Sequence, residues 1–369
     1  MIDWPRMWSD DARRFSPIRM VLCLASLAYG RVTAVRNTLY DRGWFPSVRL
    51  PRPVVSIGNI TVGGTGKTPC VILIARRLQA HGLRPAVISR GYGGKSALPV
   101  NVVSNGKEIL LTAAAAGDEP LLIARSLPGV CVLTGPKRAL TGRAAVEQFG
   151  ADVILCDDAF QHRQIQRDIN LVLLDDHRPL GNGRLLPRGE LREHPAGLAR
   201  ADAFLLTRAE PTRPPDADIL AIAQKFRLPV FRCIHRTVSL QNAGSGEKRP
   251  PEALRGKKVC AFCGIAKPDS FRDALFALGA EVVSFNPFPD HHAFSLRDLD
   301  DLQRVFQMRK ADYLVTTEKD AMRLEHCPEV LNMVWTLHIQ MDLSDSAPAF
   351  DQWLLDRIAA AAAQAPQAG

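Results

Sequence analysis

A glycine-rich turn, Val62-Gly63-Gly64-Thr65-Gly66-Lys67-Thr68-Pro69, contains the residues with the clearest chemical purpose. It follows the apolar run 53–57, which is typical of a buried strand, and it precedes a segment of helical length at 70–78. The backbone amides of such a turn and the N-terminus of the next helix together bind phosphate groups. Lys67 is then expected to reach the β- and γ-phosphates of a nucleotide, and the Thr68 hydroxyl to bind Mg²⁺.

The turn departs from the usual phosphate-loop pattern at its first position, where Thr61 stands in place of glycine. The flanking strand and helix still favour nucleotide binding over a chance glycine-rich loop. We therefore predict a nucleotide site formed by the consecutive residues Thr61, Val62, Gly63, Gly64, Thr65, Gly66, Lys67 and Thr68.

Acidic residues at the ends of apolar runs are candidates for metal binding and proton transfer. Asp157 and Asp158 end the run 153–156, and one of these carboxylates would hold Mg²⁺ directly or through water. Asp118 and Glu119 are adjacent carboxylates at the predicted start of a helix. They would either cap that helix or act as a base for a substrate hydroxyl and a metal ligand.

Further polar residues lie at predicted loops near these acids. Asp290-His291-His292 follows two prolines, and it could bind a metal as in phosphoesterases or supply a histidine that tunes a catalytic carboxylate. The first alternative needs additional aspartate pairs, which the sequence does not offer convincingly. Ser89 and Arg90 begin a glycine turn suited to a phosphate or sugar, while Gln161 and His162 could contact a substrate.

The elements that must position these residues alternate between strands and helices. Short apolar runs that end in small or acidic residues lie at 86–89, 130–133, 153–156, 171–174 and 203–207. Candidate helices lie at 68–82, 119–127 and 137–149. This pattern predicts an α/β fold with a P-loop NTPase-like, doubly wound, mostly parallel sheet, whose ligands bind at the carboxyl ends of the strands.

The second half predicts a smaller α/β lobe. Residues 230–236 alternate as a half-exposed strand does, and strands are expected near 257–262, 281–285 and 312–316, with helices over 268–278 and 296–309. The predicted domains are an N-terminal basic apolar helix region at 1–49, a P-loop core at 50–228, a strand-like connector at 229–256 and the C-terminal lobe at 257–369.

Composition describes a folded protein of 369 residues, with 46% hydrophobic and 23% charged residues. The eight cysteines lie mostly in apolar runs, so we expect buried free thiols in a reducing compartment. Cys260 and Cys263 have the spacing of a redox or zinc motif. They fall in a predicted strand, where residues three apart point to opposite faces, and no second such pair exists to complete a zinc site.

Positive charge is concentrated at the N-terminus. Residues 1–52 hold nine arginines and four aspartates, while the whole chain has a net charge of +9. The apolar run 20–30 is too short to span a bilayer, which takes about 20 residues. Arginines beside an apolar helix, with Trp4, Trp8 and Trp44 nearby, indicate a membrane-surface helix. The alternatives are a helix packed on the core or, less favoured, nucleic-acid binding.

The motifs together resemble the tetraacyldisaccharide 4′-kinase family, the lipid A 4′-kinases of Gram-negative bacteria. The matching segments occur in family order over about 50–325: Gly58-Asn59, Gly63–Pro69, Ser89–Gly93, Gly117–Pro120, Asp157–His162, Pro179–Arg192, Asp290–Phe294 and Thr317–Asp320. The resemblance implies ATP-dependent phosphorylation of the 4′-hydroxyl of tetraacyldisaccharide 1-phosphate, giving lipid IVA. It also implies a peripheral enzyme at the cytoplasmic face of the inner membrane, and no obligate protein partner is evident.

The resemblance also implies roles for individual residues. Asp118 would be the base and His291 would tune it, with Asp290 as a helper, while Lys67 would stabilise the γ-phosphate. The Mg²⁺ ligands would be Thr68, Glu119 and one of Asp157 and Asp158. Ser89 would assist the phosphate site, and the candidate contacts to the disaccharide are Arg90, Gln161, His162 and Asn182.

Two other classes of protein share part of the pattern. ATPase switches of the MinD/ArsA kind have a similar glycine loop, but they carry a lysine where this chain has Val62. A metal phosphoesterase would rest on 290–292 alone and would leave the glycine-rich turn unexplained.

Overall fold

Strands with near-continuous apolar sequences form the larger of two sheets. The computed structural model describes residues 8, 17–96, 98–210, 213–324 and 327–364, and eight strands of this part of the chain form that sheet in the order β3-β4-β2-β5-β1-β6-β7-β8. The strands are β1 (Val54–Asn59), β2 (Pro85–Ser89), β3 (Asn101–Asn105), β4 (Cys131–Thr134), β5 (Val153–Asp157), β6 (Ile169–Asp175), β7 (Ala203–Thr207) and β8 (Val230–Arg232).

Helices cover both faces of this sheet. They are α1 (Pro17–Asp41), α2 (Lys67–Ala80), α3 (Ala113–Ala116), α4 (Asp118–Ser126), α5 (Arg138–Glu147) and α6 (Ala217–Phe226). Consecutive residues of β1 belong to different apolar clusters. Val55 packs in the cluster with Ile74 of α2, and Val54 packs in the cluster with Ala145 of α5. All pairings are parallel except β3 with β4, which confirms a doubly wound, mostly parallel sheet.

The smaller sheet has six described strands in the order β10-β9-β14-β13-β11-β12. They are β9 (Ile234–Asn242), β10 (Lys248–Arg249), β11 (Lys258–Cys263), β12 (Glu281–Pro287), β13 (Tyr313–Thr317) and β14 (Val334–Asp342). Its helices are α7 (Pro268–Ala277), α8 (Leu296–Met308), α9 (Glu318–Ala321) and α10 (Pro328–Leu331). β11 to β13 are parallel neighbours, while β9 pairs antiparallel with β14 and β10.

The prediction of one strand over 230–236 was wrong. β8 ends at Arg232 in the larger sheet, Cys233 carries the chain across, and β9 begins at Ile234 in the smaller sheet. β14 returns beside β9, from the pair Trp335 and Asn242 to the pair Asp342 and Ile234. Helix α11 (Ala347–Ala363) then packs on the larger sheet through its apolar face: Phe350, Leu354 and Ile358. The predicted domain boundaries remain a prediction.

Helix α1 is longer than the apolar run suggested. Its 25 residues are long and apolar enough to cross a membrane by length and composition, although a helix near an N-terminus is weak evidence of a span. Of the described residues 17–41, only Ser26 is buried. The opposite face carries an exposed apolar stripe at helical spacing: Met20, Leu24, Leu27, Val32 and Val35.

One face of α1 docks on the loop 182–193. The Ser26 hydroxyl donates to the Leu185 carbonyl (2.9 Å), and the Tyr29 hydroxyl donates to the Arg192 carbonyl (2.7 Å). Farther along, Arg36 donates to the Gln161 carbonyl (2.7 Å). The helix is thus attached to the loops that border the glycine-rich turn.

The prediction of mostly buried free thiols is confirmed. All eight cysteines are free thiols, and seven of them are buried. Cys260 and Cys263 belong to different apolar clusters on the two faces of the smaller sheet, as expected for residues three apart in a strand.

Candidate active site

A cavity of about 1070 Å³ lies between the two sheets, where the carboxyl ends of β1, β2 and β5 open. Most of the predicted site residues line it: Gly63, Gly64, Thr65, Gly66, Lys67, Thr68, Ser89, Arg90, Glu119, Asp157, Asp158, Gln161, His162, Asp290 and His291. Thr61 and Val62 lie just before the lining segment, and Thr61 is buried. The fold therefore gathers residues from both halves of the chain around one space.

The glycine-rich turn has the backbone that a phosphate loop needs. Gly63 and Gly66 have positive φ angles of 103° and 83°, and Gly66 is the N-cap of α2. A side chain at Gly66 would also meet His235, because an added Cβ would lie 3.3 Å from its Nε2. Asn59 holds the turn by donating to the Thr61 carbonyl (2.7 Å) and the Thr65 hydroxyl (2.8 Å). The amides at the start of α2 are thus available to an anion.

Asp157 at the end of β5 is a buried carboxylate with spare bonding capacity. The residue is 3% exposed, and its Oδ1 has no hydrogen-bond partner among the described residues. Burial, followed by the charges of Glu119 and Asp158, raises the pKa of Asp157 to about 7. An unpartnered oxygen in such surroundings suits a bound cation.

Asp158 lies next to the P-loop lysine. It adopts a left-handed backbone (φ 45°), and its Oδ1 lies 2.7 Å from Arg192 Nη1 and 3.9 Å from Lys67 Nζ. Burial would raise the pKa of Asp158, but the positive charges of Lys67 and Arg192 outweigh it and hold that pKa below its ordinary value.

The described residues contain no cluster of three or more His, Cys, Asp and Glu side chains that could hold a metal ion by itself. Magnesium does not need one, because it is usually held by one or two carboxylates together with substrate phosphates and water. The buried Asp157 and the nearby Thr68 and Glu119 therefore fit Mg²⁺ delivered with a nucleotide.

Asp118 is the first residue of α4 and makes its contacts across the cleft. The N-cap of this helix is Gly117, which has a φ of 93°. An added Cβ at Gly117 would lie only 2.5 Å from the Tyr92 carbonyl oxygen, so only glycine fits there. Asp118 Oδ2 lies 2.6 Å from Arg323 Nε and 3.3 Å from His291 Nδ1. Burial would raise the pKa of Asp118, but hydrogen bonds from His291 and Arg323 lower it overall.

Lys319 contacts the other two acidic residues near His291, Glu119 and Asp290. Its Nζ lies 3.0 Å from Glu119 Oε1, 3.1 Å from His291 Nε2 and 3.7 Å from Asp290 Oδ1. Both ring nitrogens of His291 thus face charged partners. This arrangement favours the prediction that the histidine tunes a carboxylate over the phosphoesterase alternative.

Three of the four predicted substrate contacts, Arg90, Gln161 and His162, line the cavity. Arg90 is exposed at the cavity, and Gln161 Nε2 donates to the Asn59 carbonyl (2.9 Å) and Glu193 Oε1 (3.0 Å). Burial, helped by neighbouring arginines, lowers the pKa of His162 to about 4, so the ring is neutral at pH 7.

Asn182 is not brought to the cavity. Its amide nitrogen donates to the carbonyls of Trp8 (3.1 Å) and Arg188 (3.3 Å), and its Oδ1 accepts from the Arg184 backbone (3.1 Å). The side chain is therefore occupied by its own loop and by Trp8, and it joins that loop to the N-terminal region.

Three arginines at the site were not predicted. Arg323 binds Asp118, Arg192 binds Asp158, and Arg138 donates to the Asp157 carbonyl (3.0 Å). The spacing of Lys319 and Arg323 by four residues in a helical segment was the one available signal, since such residues lie on one face. The other two lie far in sequence from the acids they contact.

A doubly wound sheet with a glycine turn at a helix N-terminus, facing a carboxylate and a histidine across a cleft, defines a P-loop phosphotransferase. Comparison with known proteins makes this specific, because residues 18–359 match the family model described as tetraacyldisaccharide-1-P 4′-kinase. The chain belongs to that family and is a kinase.

Individual relatives support the assignment. The chain is 47% identical to the tetraacyldisaccharide 4′-kinase of Syntrophus aciditrophicus (strain SB) over 91% of this chain and 93% of that protein. It is 42% identical to the corresponding protein of Geobacter sulfurreducens, over 89% and 90% of the two chains. A crystal structure of "apo" form LpxK from Aquifex aeolicus in complex with ATP matches with a TM-score of 0.75 and 32% identity, covering 92% of this chain and 99% of that one.

Proposed function

We propose that this protein transfers the γ-phosphoryl group of ATP to the 4′-hydroxyl of tetraacyldisaccharide 1-phosphate, giving lipid IVA in lipid A biosynthesis. The observation that carries the proposal is one cavity bordered both by the P-loop residues Lys67 and Thr68 and by His291, the partner of Asp118. A phosphate donor bound on the loop would face a base positioned for an acceptor hydroxyl.

The chain's own residues supply positioning and charge. The amides of the turn hold the phosphates, and Lys67 neutralises charge that develops on the γ-phosphoryl oxygens. Asp118 accepts the proton of the 4′-hydroxyl while the hydroxyl oxygen attacks the γ-phosphorus. His291 orients the Asp118 carboxylate through Nδ1, and Asp290 lies near Nε2 of the same ring. ADP is the leaving group.

Magnesium would be held by Thr68, Glu119 and one of Asp157 and Asp158, and would neutralise charge on the phosphate oxygens. Ser89 Oγ lies 3.5 Å from Asp157 Oδ2 and would steady that carboxylate. Arg90, Gln161 and His162 are the proposed contacts to the disaccharide.

The lipid acceptor gives α1 a function. Its apolar stripe, flanked by arginines, would lie in the acyl boundary of the cytoplasmic leaflet of the inner membrane, as a peripheral anchor. The docked face of the helix would then hold the cavity near the membrane surface, where the disaccharide headgroup lies.

Measuring ATP consumption with and without detergent-solubilised tetraacyldisaccharide 1-phosphate tests this function. We expect ADP release that depends on the lipid, with one phosphate added to each lipid per ADP formed. Rapid hydrolysis that ignores the lipid, with no phosphorylated lipid product, would contradict it.

A further inference from the structure

Arg323 makes the closest contact to the proposed base. It lies in the short helical turn 322–324 after α9, and its side chain is 7% exposed. Nε donates to Asp118 Oδ2 (2.6 Å), while Nη1 donates to Asp320 Oδ1 (2.9 Å) and to the Gly264 carbonyl (3.1 Å). The guanidinium is therefore held in one orientation by three acceptors.

The partners of Arg323 are themselves fixed. The side chain of Asp320 is fully buried, and its Oδ2 accepts from the Thr317 hydroxyl (2.6 Å) and the Gly264 backbone (3.1 Å). The Gly264 carbonyl also accepts from the His291 backbone amide (3.1 Å). Arg323 and His291 thus belong to one hydrogen-bonded unit of the smaller lobe, and this unit meets Asp118 of the larger lobe.

The contacts fall on one oxygen of the base. Both Arg323 Nε and His291 Nδ1 approach Oδ2 of Asp118, and Oδ1 has no hydrogen-bond partner among the described residues. A carboxylate anchored through one oxygen in this way has its second oxygen available for a proton. An arginine suits this task better than a lysine, because its planar fork fixes direction as well as charge.

We propose that Arg323 is a positioning residue for phosphoryl transfer: it fixes Asp118 through Oδ2 so that Oδ1 accepts the proton of the acceptor hydroxyl. This inference rests on the proposed function of Asp118 as the base. It also makes the base effective only when the smaller lobe contacts the larger one, because Arg323 and Asp118 come from different lobes.

A double-mutant cycle with Asp118→Asn and Arg323→Ala in the full-length protein tests the inference. We expect Arg323→Ala to lower kcat about 100-fold, as misplacement of a reacting group does, while the Kd for ATP changes less than about twofold. In the Asp118→Asn background the same change should cost less than about threefold, because a residue that acts through Asp118 has nothing left to position.

Guanidinium added to Arg323→Ala should recover part of the lost rate, and Arg323→Lys should fall between the wild type and Arg323→Ala. Arg304→Ala is the matched control, since Arg304 is an exposed arginine of the same lobe, and its rate should equal the wild type. Arg323→Lys keeps a cation beside the buried Asp320, so the cycle can be repeated with it if Arg323→Ala fails to fold.

Losses that multiply in the double variant, or a rate in Arg323→Lys equal to the wild type, would overturn the positioning role. A near-wild-type rate in Asp118→Asn would instead remove Asp118 as the base, and this outcome identifies a failure of the proposed mechanism rather than of Arg323 alone.

Discussion

The two ends of the cleft are built in different ways. At the P-loop end, the turn with Lys67 follows β1, while Asp157 and Asp158 lie at the end of β5 in the same sheet, and Lys67 Nζ lies 3.9 Å from Asp158 Oδ1. At the base end, Asp118 comes from the larger lobe, whereas His291, Lys319 and Arg323 come from the smaller one. The proposed donor site is thus formed mainly by the larger lobe, with His235 of the smaller lobe beside Gly66, while the proposed acceptor site depends on contact between the two lobes.

This difference predicts that the two ends can be damaged separately. Replacing Asp118 by alanine should lower kcat by about 10²–10⁴, the range expected for a general base, and leave ATP binding intact. Rapid-quench measurement of lipid phosphorylation beside calorimetric titration with ATP would check this. An exposed aspartate, Asp301, provides the control variant. Lost ATP affinity in Asp118→Ala would show that the two ends are not independent.

Helix α1, the proposed membrane anchor, provides a second separation. Changing Leu24 and Leu27, which are 62% and 58% exposed on α1, to aspartate should weaken binding to anionic vesicles about 100-fold or more, because each apolar side chain contributes about 1.5–3 kcal/mol on burial. ATP affinity measured without lipid should stay at the wild-type value. Vesicle sedimentation measures the first quantity. Unchanged sedimentation would exclude this stripe as the anchor.

A smaller effect is expected at a second contact between the lobes. Lys267 Nζ lies 2.7 Å from Asp175 Oδ2, and Asp175 also accepts from Arg208, which donates to the Gly64 carbonyl of the turn. Since Lys267 is partly exposed, Lys267→Ala should weaken ATP binding by no more than about fivefold. The exposed Lys257 serves as the control. An effect as large as that of Arg323→Ala would mean that the P-loop end also depends on lobe contact.

The smallest effect concerns the outer support of the P-loop helix. Arg77 of α2 and His81 bind Asp351 of α11. Burial would raise the pKa of Asp351, but these hydrogen bonds lower it overall. A lowered pKa in the folded state stabilises the protein above the ordinary carboxyl pKa, and this stability is lost as the pH falls through the lowered value.

Asp351→Asn should accordingly lower the Tm by about 2 °C at pH 7. The difference from the wild type should shrink in melting curves recorded at progressively lower pH, below the ordinary carboxyl value of about 4. A constant difference across that range would rule out the carboxylate charge as its origin. Asp345→Asn, at an exposed turn, would be the matched comparison.

The same contrast explains what the sequence could predict. β1, the turn and α2 were correctly predicted because strand, glycine and helix signals are contiguous, and Asp157 and Asp158 could be placed because they lie at the end of a buried apolar strand. Arg323 lies 205 positions from Asp118, and no local periodicity links two residues that meet only through the packing of two lobes. Strand β14 was missed for a related reason, since its pairing with β9 depends on the return of the chain rather than on its own pattern.

Cys233 and the paired strands β9 and β14 have a mechanical consequence. The chain leaves the larger lobe at Cys233 and returns to it after Asp342, and Asp342 pairs with Ile234 directly beside the point of departure. A two-stranded ribbon bends readily out of its plane, but stretching or sliding its strands breaks the ladder of backbone hydrogen bonds. A change in the angle between the lobes would therefore have to bend this ribbon, and it would change the distances from Asp118 to Arg323 and His291.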